Sequence, residues 1–177
     1  GRIYATSKFA NVLMNVEVTH SSKSGDGSTV DVELGESLIV TNATSGQDFG
    51  RGLAFNADGS LAFMAYRAPP SLLVVDTSLN PNGLPQNRIV DASPLGDGPA
   101  NVLVVPSGLD GRELVYITLF NADQIAVFDP ALMAVVEVID VGDGPFSITH
   151  VNDGELFRAY VSLFEESAIA VIELDHN

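Results

Sequence analysis

Short apolar runs, each closed by Gly, Asn, Asp or Pro, recur along the chain: LAFMAY, SLLVVD, LVYITLF, QIAVFD, AVVEVID and AIAVIEL. They are rich in Val, Ile, Leu, Phe and Tyr, the composition of strands. Only PALMAV, after Asp129, has a helical look, and it is too short to form a stable helix. Most runs are almost continuously apolar. A sheet with one wet face alternates, so this pattern predicts sheets covered on both faces.

The runs repeat as a group. GDGP occurs at Gly96 and again at Gly142, 46 residues later. Asp-Gly turns fall at Asp58, Asp110 and Asp153, spaced by 52 and 43 residues. A period of that size marks a solenoid, a propeller or an array. Within a repeat the order is a first strand after GDGP (Ala100 to Val105, Phe146 to Val151), an Asp-Gly turn, a second strand (VYITLF), a polar turn (NADQ), a third strand (IAVFD) and a fourth (AVVEVIDV). Asp-Gly suits a tight hairpin because Gly takes positive φ without steric cost. The expected fold is all-β: a β-propeller of four-stranded antiparallel blades, with a β-sandwich as the competing architecture. The chain divides into a partial blade (1–49), two whole blades (50–95 and 96–141) and a second partial blade (142–177), about three and a half in all. Closed propellers have about four to eight blades, and an open arc exposes apolar faces and unpaired strand edges. The chain also opens mid-repeat at Gly1. Both features predict a piece of a larger propeller, or a chain that a protein partner or self-association completes.

The fragments YATS, YITL and YVSL at Tyr4, Tyr116 and Tyr160 resemble the Tyr-Val-Thr-Asn signature of YVTN-type bacterial β-propeller repeats. The G-x-G-P run, the Asp-Gly turn and the I-x-V-x-D third strand resemble the same consensus. The second copy departs from it: Phe63-Met64-Ala65-Tyr66 replaces the signature, and the family's Asn is absent from all copies. The resemblance implies the lactonase-like seven-bladed superfamily. It also implies a bacterial setting in the periplasm, at the cell surface or outside the cell. It says little about activity.

Charge narrows the partners. Eight Lys and Arg face 23 Asp and Glu, a net charge of −15. Nucleic acid and anionic membranes both require positive charge, so neither is an expected partner. No apolar run reaches the length of a membrane helix, so membrane insertion is not expected. There is no cysteine, which removes disulfides and thiolate chemistry.

Successive turns of a meander alternate between the two ends of a sheet. The GDGP runs and the second-to-third strand turns therefore share one face. Its candidate binding residues are Arg51, Arg67, Asp97, Asn101, Asn121, Asp143 and Glu165, with Lys8, Asn11, Gln47, Asp48, Asp123 and Glu166 around them and His150 on a first strand beside the channel. Asp97 and Asp143 occupy equivalent positions and are the weak candidates for Ca²⁺, which takes six to eight oxygens; no other cofactor is expected. SGDGSTVD, Ser24 to Asp31, lacks the alternating acids of a calcium loop. His20, His150 and His176 show no metal spacing, and no G-x-S-x-G, P-loop or dinucleotide motif is present. Asn42-Ala43-Thr44 is a glycosylation sequon, relevant only in a eukaryotic secretory pathway. Two loops, around Ser21 to Ser28 and from Ser78 to Asn87, interrupt the repeat. The expected function is non-enzymatic binding or scaffolding. The alternatives are a lactonase-like hydrolase, drawing on Arg51, Arg67, His150, Glu165 and Glu166, and an accessory propeller chain of a metalloenzyme or electron-transfer complex.

Overall fold

The computed structural model describes residues 2–7, 12–22, 28–35, 37–39, 50–107, 112–152 and 157–174. Every regular element among them is a β-strand. The first sheet holds β1 (Arg2–Thr6), β2 (Val12–Ser22), β3 (Ser28–Leu34) and β4 (Leu38–Ile39). The second holds β5 (Gly50–Phe55), β6 (Leu61–Arg67), β7 (Pro70–Asp76) and β8 (Arg88–Pro94). The third holds β9 (Pro99–Ser107), β10 (Arg112–Leu119), β11 (Gln124–Asp129) and β12 (Ala134–Asp140). The fourth holds β13 (Pro145–Asn152), β14 (Phe157–Leu163) and β15 (Ala168–Glu173).

The second and third sheets are plain antiparallel meanders of four strands, and the fourth is a meander of three. In the first sheet β3 and β4 both pair with β2, along different parts of it, so the outermost strand is interrupted.

Three cores lie between neighbouring sheets. Leu13 packs with Ala62, Met64 and Tyr66 between the first two sheets. Phe63, Leu72 and Val74 meet Val102, Ile117 and Phe128 between the second and third, where the Phe63 and Phe128 rings pack edge to face at 6.3 Å. Tyr116, Ile125 and Val127 meet Ile148, Ala159 and Val161 between the third and fourth. Alternate residues of one strand therefore serve two different cores, which is why these strands are apolar at every position. The outermost strands β8 and β12 are mostly exposed and carry Asp91, Glu137 and Asp140. Sheets stacked face against face, with their first strands β5, β9 and β13 side by side, are propeller blades.

First strands approach so closely that one position must be glycine. A Cβ at Gly52 would lie 2.6 Å from both the Asn101 Cα and the Val102 N of the next sheet. Polar bonds then stitch sheet to sheet. The Thr6 hydroxyl donates to the Arg51 carbonyl at 2.8 Å, and the Thr118 hydroxyl donates to the Phe146 carbonyl at 3.2 Å. The second sheet has Ala65 at the corresponding position, and there Arg67 Nε reaches the Pro99 carbonyl at 2.8 Å instead.

The third strand of each repeat carries, at one repeat position, an acid held by an arginine: Glu17 by Arg2, Asp76 by Arg88, Asp129 by Arg112 and Glu173 by Arg158. Asp76 also accepts from the Ser78 hydroxyl at 2.5 Å and the Ser78 amide at 3.0 Å. The Ser78 hydroxyl bond is the main reason its carboxyl sits below the usual range, with Arg88 adding to the effect. A lowered folded pKa stabilises above the unfolded value and ceases to do so as pH falls through the folded one. Stability at pH 5 should therefore exceed that at pH 3 by more in the wild type than in Asp76→Asn, by about 1 kcal/mol. Urea unfolding at the two pH values measures this; equal acid sensitivity would contradict it.

Candidate functional site

The GDGP loops are built by the turns beside them. Gly98 and Gly144 have φ of +75° and +68°, a conformation that favours glycine. A Cβ on Gly98 would strike the Asn121 backbone at 2.6 Å, and one on Gly144 would strike the Glu165 Cγ at 2.8 Å. The Phe120 amide donates to the Gly98 carbonyl at 2.8 Å, and the Phe164 amide donates to the Gly144 carbonyl at 2.9 Å. The two loops are thus the same construction, one repeat apart.

Several sequence-selected residues meet here. Asn121 Nδ2 donates to Asp97 at 3.2 Å. Asp123, at φ +58°, accepts from the Gly144 amide at 3.0 Å, while the Asp143 amide donates to Glu166 at 2.9 Å. Asp97, Asn121, Asp143, Glu165 and Glu166 therefore lie around the two loops. Asn101 is two residues inside β9, half-buried, its amide bonded to the Thr118 hydroxyl at 2.9 Å. Arg67 closes the equivalent turn of the second sheet, which contains the cis Ala68–Pro69 peptide. Arg51 lies one residue from the close contact at Gly52. His150 pairs with Ala159 near the far end of β13, on the same strand face as Ile148, which packs against the third sheet. That end is remote from GDGP. No three His, Asp or Glu side chains among the described residues form a group able to hold a metal ion. Lys8, Asn11, Gln47, Asp48, His176, the Asn42 sequon and most of the Ser24 loop lie outside the described residues, as does the side chain of His20.

The site also contains residues that the search for charged groups passed over. Phe120 and Phe164 follow the second strands at equivalent positions, and Phe146 follows GDGP. Their rings form a triangle with centroids 6.2, 6.2 and 6.3 Å apart. Phe146 and Phe164 are exposed. The signal was present in the sequence: YITLF and YVSLF both end in Phe where the other two repeats have Lys8 and Arg67. Two exposed rings and the half-buried Phe120 thus lie beside the acids of the GDGP loops.

No family model matches the chain, and no curated protein matches it. Solved structures do match. One is a functionally unknown protein from Desulfotomaculum acetoxidans, at 17% identity and TM-score 0.60, covering 97% of this chain and 48% of that one. Another is hydrazine synthase from Kuenenia stuttgartiensis, at 14% identity and TM-score 0.59, covering 93% and 56%. A third is the periplasmic gluconolactonase of Pseudomonas aeruginosa, at 18% identity and TM-score 0.59, covering 98% and 40%. The shared property is the fold. This chain is a β-propeller segment, spanning about half the length of the solved structures it matches.

Proposed function

We propose that this chain is part of a non-enzymatic binding propeller that holds a protein partner on the face carrying the GDGP loops and the second-to-third strand turns. The observation that carries this reading is the Phe120–Phe146–Phe164 triad, with Phe146 and Phe164 exposed, beside Asp97, Asp143, Glu165 and Glu166. An apolar patch at the loop end of a rigid scaffold is where propellers display added function. The net charge of −15 selects a basic partner and speeds its approach. An envelope or extracellular setting belongs to the same reading, through the resemblance to bacterial YVTN-type repeats. So does completion of the arc by further blades or by a second copy.

The test is a titration with a basic amphipathic peptide of alternating Arg and Leu, followed by amide chemical shifts. Shifts should centre on Phe120, Phe146 and Phe164. Phe146→Ser with Phe164→Ser keeps the net charge and should weaken binding at least tenfold. Shifts spread over the acidic surface and unchanged in the double variant would contradict the assignment.

A further inference from the structure

The first sheet turns an apolar face away from the rest of the arc. Its strand β3 alternates, with Val30, Val32 and Leu34 on one side and Asp31 and Glu33 on the other. The register carries both rows across the sheet. Leu34 stands opposite Val16, and Val16 opposite Ile3; Glu33 stands opposite Glu17, and Glu17 opposite Arg2. The acidic row shares its side with Tyr4 and Leu13, which pack toward the second sheet. An alternating strand sets its apolar side on a core. Here Ile3, Val30, Val32 and Leu34 are all exposed instead. Among the described residues that row holds no Asp, Glu, Lys or Arg, in a chain with 23 acids.

The repeat identifies what is missing. Ile3 stands one residue before the repeat aromatic on the second strand, as do Ala62, Val115 and Ala159. Those three are 0% exposed, each covered by the preceding sheet, whereas Ile3 is 57% exposed. The covering half of such a contact is also on this chain. The third sheet covers the fourth with Tyr116, Ile125 and Val127. Tyr160, Ile169 and Val171 hold the same register positions on the fourth sheet, and Ile169 and Val171 are exposed. The charged pair in register with them, Arg158 and Glu173, is already joined at 3.0 Å. One chain thus carries both halves of the contact that joins its own sheets, one half at each end.

We infer that the first-sheet face of Ile3, Val16, Val32 and Leu34 is a docking site for the fourth-sheet face of a second copy. The occupant is a second copy because the fourth sheet presents, position for position, the surface that covers every other sheet. The absence of unpaired charge in both rows lets two chains of net charge −15 meet there. Such a contact joins two different patches, so it closes into a ring or runs on into a longer assembly. The inference rests on the reading that the arc is completed from outside, and it makes no use of the Phe triad.

Sedimentation velocity of wild type, Ile3→Asp, Ile169→Asp and an equimolar mixture of the two variants tests it. Wild type should associate. Each variant alone should associate about thirtyfold more weakly. The mixture should form a one-to-one complex, because each variant keeps the half that the other has lost. Both side chains are exposed in the isolated chain, so the variants should unfold at the wild-type midpoint. Val32→Asp takes the place of Ile3→Asp if that variant misfolds. Wild-type association by Ile3→Asp would point to contact between two fourth-sheet faces; it would overturn this docking and leave completion of the arc standing. A mixture without a complex would overturn the docking in the same way. A monomeric wild type would overturn both.

Discussion

Gly52→Ala is expected to lower stability by about 3 kcal/mol, the upper part of the range for overpacked cores. The new methyl carbon would be placed 2.6 Å from main-chain atoms of Asn101 and Val102. Main chain cannot rotate away as a side chain can, so β5 and β9 must separate. That opens the core in which Ala54 packs against Phe63 and Val102. Gly96→Ala is the matched control, because its Cβ would meet a movable Leu119 Cδ1 at 3.0 Å. It should cost about 1 kcal/mol or less. Urea unfolding of both variants measures the difference; equal midpoints would show that the first strands are not packed this tightly.

The second large effect contrasts two residues at one repeat position. Ile125 pairs with Thr118, and Ile169 pairs with Ser162. Ile125 is 0% exposed because the fourth sheet covers it, whereas Ile169 is 68% exposed. Val127 and Val171 repeat the contrast, at 2% and 53%. Ser162 tells the same story in polar form: its counterpart Thr118 donates to the next sheet, but the Ser162 hydroxyl turns back to the Ser147 carbonyl at a long 3.5 Å. The last face of the arc is built like an interior one. Ile125→Asp buries a carboxylate without a partner and should cost about 4 kcal/mol or more. Ile169→Asp should change the stability of the arc itself by no more than about 0.5 kcal/mol, yet abolish association through that face. Unfolding curves read the first effect. Sedimentation of wild type and Ile169→Asp reads the second, and equal association in both would remove this face from the account.

The strands and their grouping were legible because burial on both faces leaves continuous apolar runs, and because Asp-Gly and GDGP recur where tight turns must form. The acids around GDGP were legible for the same reason, as turn formers. The exposure of the Phe triad was not, because whether a Phe after a strand is covered depends on which sheet follows it. Phe120 is half-buried against the fourth sheet, while Phe164 has nothing over it. His150 stands near the far end of its first strand, on the Ile148 face. The contact of Tyr4 with Asn87, 83 residues away, is one that no local pattern encodes.

The central proposal is that the exposed apolar end face around Ile169 and Val171 is covered by further blades or by a second copy. The most direct test is the molar mass of the chain in solution, by light scattering after gel filtration. Association into species heavier than the 18.7 kDa chain is the predicted result, with Ile169→Asp shifting it toward the monomer. A stable 18.7 kDa monomer that unfolds cooperatively, with Ile169 and Val171 still in water, would contradict the claim.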